Sequence, residues 1–177
     1  MTSLKKEKAI KRSSLAAAAM LAVVACGMFG AEGASNTNAA PKDNLSPETR
    51  RELAEVRRAT AKYHDLSKAV ADGYVDINVF IPKMGFHYLR PAILDADFQR
   101  NKPELLVYAA DPYKNRLQLV AVEYAVPLDL SPTAPEGFTG SDDEWCVNEE
   151  FGLWTLHVWL GVENPDGVFA MFNPRVP

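Results

Sequence analysis

The chain has 177 residues, with 19 Lys+Arg against 23 Asp+Glu and a formal net charge of −4. That balance argues against a nucleic-acid partner, because phosphate binding needs a basic surface. No G-x-S-x-G, Gly-rich phosphate loop, C-x-x-C or C-x-x-C-H motif occurs, so several common catalytic and haem-binding classes have no footing here.

The N-terminal region is basic (Lys5, Lys6, Lys8, Lys11, Arg12), and an apolar run follows from Leu15 to Ala25. The run is short of the ~20 apolar residues that span a bilayer and suits a secretory h-region. It ends in Val23-Val24-Ala25-Cys26, which resembles the lipobox of bacterial lipoproteins. The expectation is therefore a signal peptide over residues 1–25, cleavage before Cys26, and fatty acylation of that cysteine. Cleavage near Gly33 by ordinary signal peptidase is the competing reading. Without residues 1–25 the chain has 14 Lys+Arg (19 − 5) and 22 Asp+Glu (23 − 1), a charge of −8. Such a chain should not be drawn to anionic lipid heads, so the acyl chains alone would hold it. Gly27 is not the aspartate that retains lipoproteins in an inner membrane, so a host with two membranes would send it to the outer one. The domain would face the periplasm or the exterior. Residues 26–45 form the lipidated cysteine and an Ala-, Asn- and Ser-rich tether. Residues 46–177 are then long enough for one α+β domain with one core. Cys146 is left without a cysteine partner and reads as a small, partly buried hydrophobe in preference to a nucleophile.

Ser46-Pro47-Glu48-Thr49 has the N-cap, the proline at the first helical position and the first-turn acid of a helix start. Apolar residues recur at Leu53, Val56, Tyr63, Leu66 and Val70. They predict one long amphipathic helix of roughly 24 residues, ending near Asp72-Gly73. Arg50, Arg51, Glu55, Arg57, Arg58 and Lys62 form its polar face, and His64 borders it as a surface residue.

Strand signals follow. Val75–Ile81 alternates, and His87–Leu94 holds a short strand broken by Pro91. Glu104–Ala110 and Leu117–Val126 are strands joined across Asp111–Asn115. Residues 127–152 are expected to be a long loop. Leu153–Val162 is a strand, Asn164–Gly167 a turn and Val168–Phe172 a last strand. The helix should pack on a mostly antiparallel sheet, or partly open barrel, of five to six strands.

Three residues stand out chemically. Alternation puts His157 on one face of its strand with Thr155 and Trp159. Glu123 lies in a strand apolar on both faces, sharing its side with Leu117, Leu119, Ala121 and Ala125. A buried carboxylate needs a partner. His87 follows Met84-Gly85 among large apolar residues. Two imidazoles and a carboxylate suit a divalent transition metal (Zn, Cu, Fe or Ni) with open positions. Without metal they could form an acid/base pair. The structural alternative pairs Glu123 with Arg90, Arg116 or a tyrosine. The acids Asp142, Asp143, Glu144, Glu149 and Glu150 match no EF-hand spacing and are expected to be a solvated loop. The aromatics of the second half are mostly core, though some could offer a platform to a sugar or apolar ligand.

The blocks Asp72-Gly73-Tyr74, Met84-Gly85-Phe86-His87-Tyr88, Leu105–Tyr108, Val122-Glu123-Tyr124, Leu156-His157-Val158-Trp159 and Asn164–Phe169 resemble a family of uncharacterised secreted proteins and lipoproteins. The resemblance spans about residues 60–176. It departs from the family pattern at Lys83, where a glycine is expected, and at Pro177, where some members end in cysteine. It implies neither an activity nor residue roles, but it places His87, Glu123 and His157 inside shared blocks. Three functions fit: binding of a metal ion or small ligand, a metal-dependent or His-assisted envelope hydrolase, and a structural or interaction protein with a buried polar network.

Overall fold

In the computed structural model, which describes residues 45–140 and 143–177, the Ser46 side chain accepts the Thr49 N–H and opens helix α1, Pro47–Thr60. The signal segment, Cys26, the tether up to residue 44 and Asp142 lie outside the described residues. No helix among the described residues is long and apolar enough to cross a membrane.

The long helix is broken. A 3-10 turn, Ala61–His64, follows α1, and Asp65 is extended before α2, Leu66–Ala71. Asp65 accepts the Ser67 N–H and hydroxyl, so an aspartate N-cap competes with helix continuation at that point. The break shifts the phase of the apolar face. Ala69 is buried in the core, and Val70, expected to face inward, is 56% exposed. Leu53, Val56 and Tyr63 pack where their spacing placed them, and His64 is exposed.

Among the described residues, six strands form one antiparallel sheet: β1 Val75–Ile81, β2 Gly85–Leu89, β3 Leu105–Ala110, β4 Leu117–Pro127, β5 Cys146–Asn148 and β6 Leu153–Trp159. Their spatial order is β1-β2-β3-β4-β6-β5. The fold is thus α+β, with the sheet curled into a half-barrel. The helices cover one face, packing Leu53, Val56 and Tyr63 against Leu106, Tyr108, Val122, Tyr124, Leu156 and Val158. Three buried tyrosine hydroxyls donate to backbone carbonyls there: Tyr74 to Pro103, Tyr108 to Tyr63 and Tyr124 to Arg100. These bonds allow large rings into the core without orphaned polar atoms.

Strict alternation fails in β4. Val107 pairs with Ala121 but Tyr108 with Leu119, so Val120 is an extra, bulged residue. Leu117 and Leu119 therefore join the helix-side core, not the Glu123 side, while Val120 joins Ala121 on the other face. Residues 127–152 are not all loop, because Cys146–Asn148 pairs with β6. Val168–Phe172 is not a strand. The Asn164–Gly167 turn leaves one ladder-like bond, from Trp159 N–H to Val168 O, and Asn164 Nδ2 then ties down Phe172 O. The C-terminal segment instead crosses the second face, where Val176 packs with Val107, Ala109, Val120, Ala121 and Trp159.

That segment is pinned to the turn before β2. Lys83 N–H donates to Pro177 O, and Asn173 N–H donates to Lys83 O. Lys83 holds φ +67, a conformation costing an L side chain ~1–2 kcal/mol that glycine avoids. Lys83→Gly is expected to stabilise the protein, by up to ~1 kcal/mol once glycine's extra unfolded-state entropy is offset. Urea unfolding measures it, and a loss of stability would refute the strain argument.

Candidate metal centre

The second face of the sheet carries all three chemically distinctive residues. Glu123 on β4 is directly opposite His157 on β6, and His87 on β2 is opposite Val107 on β3. Three interstrand steps of about 4.8 Å would hold β2 and β6 ~14 Å apart in a flat sheet. The His87 and His157 rings are nevertheless 6.1 Å apart, centroid to centroid, at 88°. The sheet curls around this face, and the small side chains Val107 and Ala121 on the intervening strands leave the rings room to meet.

Both imidazoles turn Nε2 toward one carboxylate oxygen. His87 Nε2 is 3.5 Å, and His157 Nε2 3.7 Å, from Glu123 Oε2. These are too long for good hydrogen bonds, and Glu123 Oε2 and His157 Nε2 have no hydrogen-bond partner among the described residues. Metal–N and metal–O bonds of ~2.0–2.1 Å at a tetrahedral angle place donor atoms ~3.3–3.5 Å apart. One donor atom from each residue lies within 4.8 Å of the others. The spacing is thus close to that of a mononuclear site, and the buried group could hold a metal ion.

The local chain explains the aim of His87. β1 carries an irregularity between Asp76 and Phe80, with Asn78 at φ +57 and its N–H held by Asp76 Oδ1. This bulge presents the Val79 carbonyl to His87 Nδ1 at 3.2 Å. A carbonyl only accepts, so Nδ1 carries the proton and Nε2 keeps its lone pair for the site. His157 lies alongside Trp159, rings 6.4 Å apart and nearly parallel.

Burial sets the charge state. His87, Glu123 and His157 are 3, 6 and 5% exposed. Desolvation, with a smaller repulsion from Glu104, pushes the Glu123 carboxyl up to about 8. Desolvation, and then the neighbouring His87, pull His157 down to about 3, and burial also lowers His87. Without metal, burial thus favours the neutral form of all three groups near pH 7, so their proximity is not that of a salt bridge. The imidazoles are already in the form that binds metal, and the carboxyl must release a proton to do so.

The arginines considered as partners for Glu123 are occupied elsewhere. Arg116 is 3.8 Å from Asp111, and Arg90 lies over the Tyr74 ring. A second buried carboxylate, Glu104, escaped the sequence reading. It is 2% exposed, burial pushes it up to about 8, and it accepts the Ala125 N–H. Its position directly before the apolar run Leu105–Ala110 was the available signal. Asp143 accepts the Phe138 N–H, while Glu144, Glu149 and Glu150 are exposed. Cys146 is 7% exposed on β5. Tyr108, Tyr124, Trp159 and Phe169 are core, whereas Tyr113 is 92% exposed.

The unfolded carboxyl titrates near 4.5 and the folded Glu123 near 8. Between those values the folded state keeps a proton that the unfolded chain releases, so stability falls as pH rises. His157 acts oppositely between about 3 and 6.5, where only the unfolded chain is protonated. The metal-free protein is therefore expected to lose stability from pH 6.5 to 8, by at most ~1.4 kcal/mol per pH unit for each of Glu104 and Glu123. Urea unfolding across that range checks this, with Glu104→Gln and Glu123→Gln each flattening the slope. A flat wild-type profile would contradict it.

Fold and site together define an α+β protein whose half-barrel sheet encloses a His–Glu–His donor set. No family model, curated protein or solved structure matches the chain.

Proposed function

We propose that this protein is an envelope lipoprotein, anchored through Cys26, that binds one transition-metal ion at His87, Glu123 and His157. One observation carries the metal reading: three donors from three strands converge in the interior, with Glu123 Oε2 and His157 Nε2 lacking any hydrogen-bond partner among the described residues. A structural polar network would satisfy those atoms, since each orphaned buried group costs about 1–3 kcal/mol. Imidazole and carboxylate donors favour Zn, Cu, Fe or Ni over calcium or magnesium. The few per cent exposure of all three residues favours binding over turnover, because a hydrolase must admit both substrate and water to the metal.

Elemental analysis of the purified chain tests this. About one equivalent of a transition metal is expected, lost in His87→Ala, Glu123→Ala and His157→Ala while the variants stay folded. If loading with Zn, Cu, Fe and Ni leaves the wild type empty, the site is a polar network and the proposal fails. The mass of the mature N-terminus tests lipidation of Cys26 independently.

A further inference from the structure

The net charge of the chain conceals a sorted distribution on α1. At about 100° per residue, Arg57, Arg50, Arg58 and Arg51 fall within a sector of ~120°. Glu55, Glu48 and Glu52 fall within the next ~100°, and Thr49, Leu53, Val56 and Thr60 face the core. The acids are largely engaged. Glu52 and Glu55 lie 2.5 and 3.7 Å from Arg100, and Glu48 lies 3.4 Å from Arg51. Arg50, Arg57 and Arg58 are exposed and have no ion-pair partner among the described residues. Arg50 and Arg57 border a groove of about 320 Å³ whose apolar wall includes Leu45, Leu160 and Val168. Glu163 lines the same groove but is held at 2.6 Å by Arg175.

Leu45 is also where the chain from Cys26 enters the domain. The 18 residues from 27 to 44 reach at most ~65 Å when fully extended, so an anchored domain stays near the lipid surface. We infer that the arginine face of α1 docks on anionic phospholipid headgroups and turns the domain's α1 side toward the membrane. Guanidinium groups suit phosphate through paired N–H donors, and the apolar groove floor suits the glycerol and upper acyl region beneath it. The negative surface elsewhere is repelled by the same lipids, so the two effects select one orientation. This reading rests on membrane attachment through Cys26, but the docking test does not need the anchor.

The test is co-flotation of residues 27–177, which retain every described residue, with vesicles of phosphatidylglycerol and phosphatidylcholine in equal parts. Pure phosphatidylcholine vesicles are the control. Binding to the anionic vesicles is expected to exceed the control about tenfold or more at low salt and to fade near ~0.5 M salt. The triple variant Arg50→Glu/Arg57→Glu/Arg58→Glu, with circular dichroism matching the wild type, should lose the preference, and Arg→Gln at the same positions should weaken it. Equal binding to both vesicle types, or a folded triple variant that still prefers anionic lipid, would overturn the inference. Anionic binding by a chain whose Cys26 proves unlipidated would uphold the docking face and remove the anchor alone.

Discussion

A saturating transition metal is expected to raise the thermal unfolding midpoint by roughly 10 °C or more, and Glu123→Gln to abolish that rise. Metal at a thousandfold excess over its Kd stabilises the folded state by about 4 kcal/mol. For a domain of this size each kcal/mol moves the midpoint by ~3–5 °C. The glutamine variant separates metal binding from structure. Without metal, Glu123 is neutral at pH 7, since burial holds its carboxyl near 8. An amide of the same shape should therefore change metal-free stability by less than ~1 kcal/mol. A purely structural carboxylate pairing with a charged histidine predicts the reverse: no response to metal and a clear loss on substitution. Differential scanning calorimetry with and without zinc decides between them.

Gly85→Ala is expected to destabilise the protein by ~3 kcal/mol or more, a large part of a typical 5–15 kcal/mol. Gly85 opens β2 at φ +122, and a Cβ there would come within 2.3 Å of the Tyr108 carbonyl oxygen. Conformational strain of about 1–3 kcal/mol and overpacking of about 1–3 kcal/mol both apply. The carbonyl belongs to β3, so relief requires moving one strand from the other. His87 sits two residues along β2, so metal affinity should fall along with stability. Urea unfolding gives the first effect and metal titration the second. A loss below ~1 kcal/mol would show that β2 can shift freely.

Local pattern was enough to read the α+β class, the start of α1 and the strands β1, β3, β4 and β6. Ser46-Pro47 caps a helix wherever the rest of the chain goes, and apolar alternation marks a strand before its partners are known. The short elements were harder. β5 has only three residues, too few for a periodic signal, and its pairing with β6 depends on a turn within an irregular segment. The break at Asp65 was legible in principle, because an aspartate two residues before a serine is a common cap. Seven-residue spacing across the break imitated one continuous helix.

Glu123 could be singled out because a carboxylate in an apolar strand is conspicuous on its own. Its burial follows from β4 being covered on both faces. What joins it to His87 and His157 lies in no local pattern, since the histidines are 70 residues apart. The antiparallel register sets Glu123 opposite His157. The curl of the sheet brings in His87 from two strands beyond Glu123 and three beyond His157, and the β1 bulge turns its ring with the Val79 carbonyl. The sequence by itself singled out these three side chains as candidates and indicated that one of them is buried. Only the tertiary structure decided that they meet, because register, bulges and curvature come from the packing of whole strands against one another.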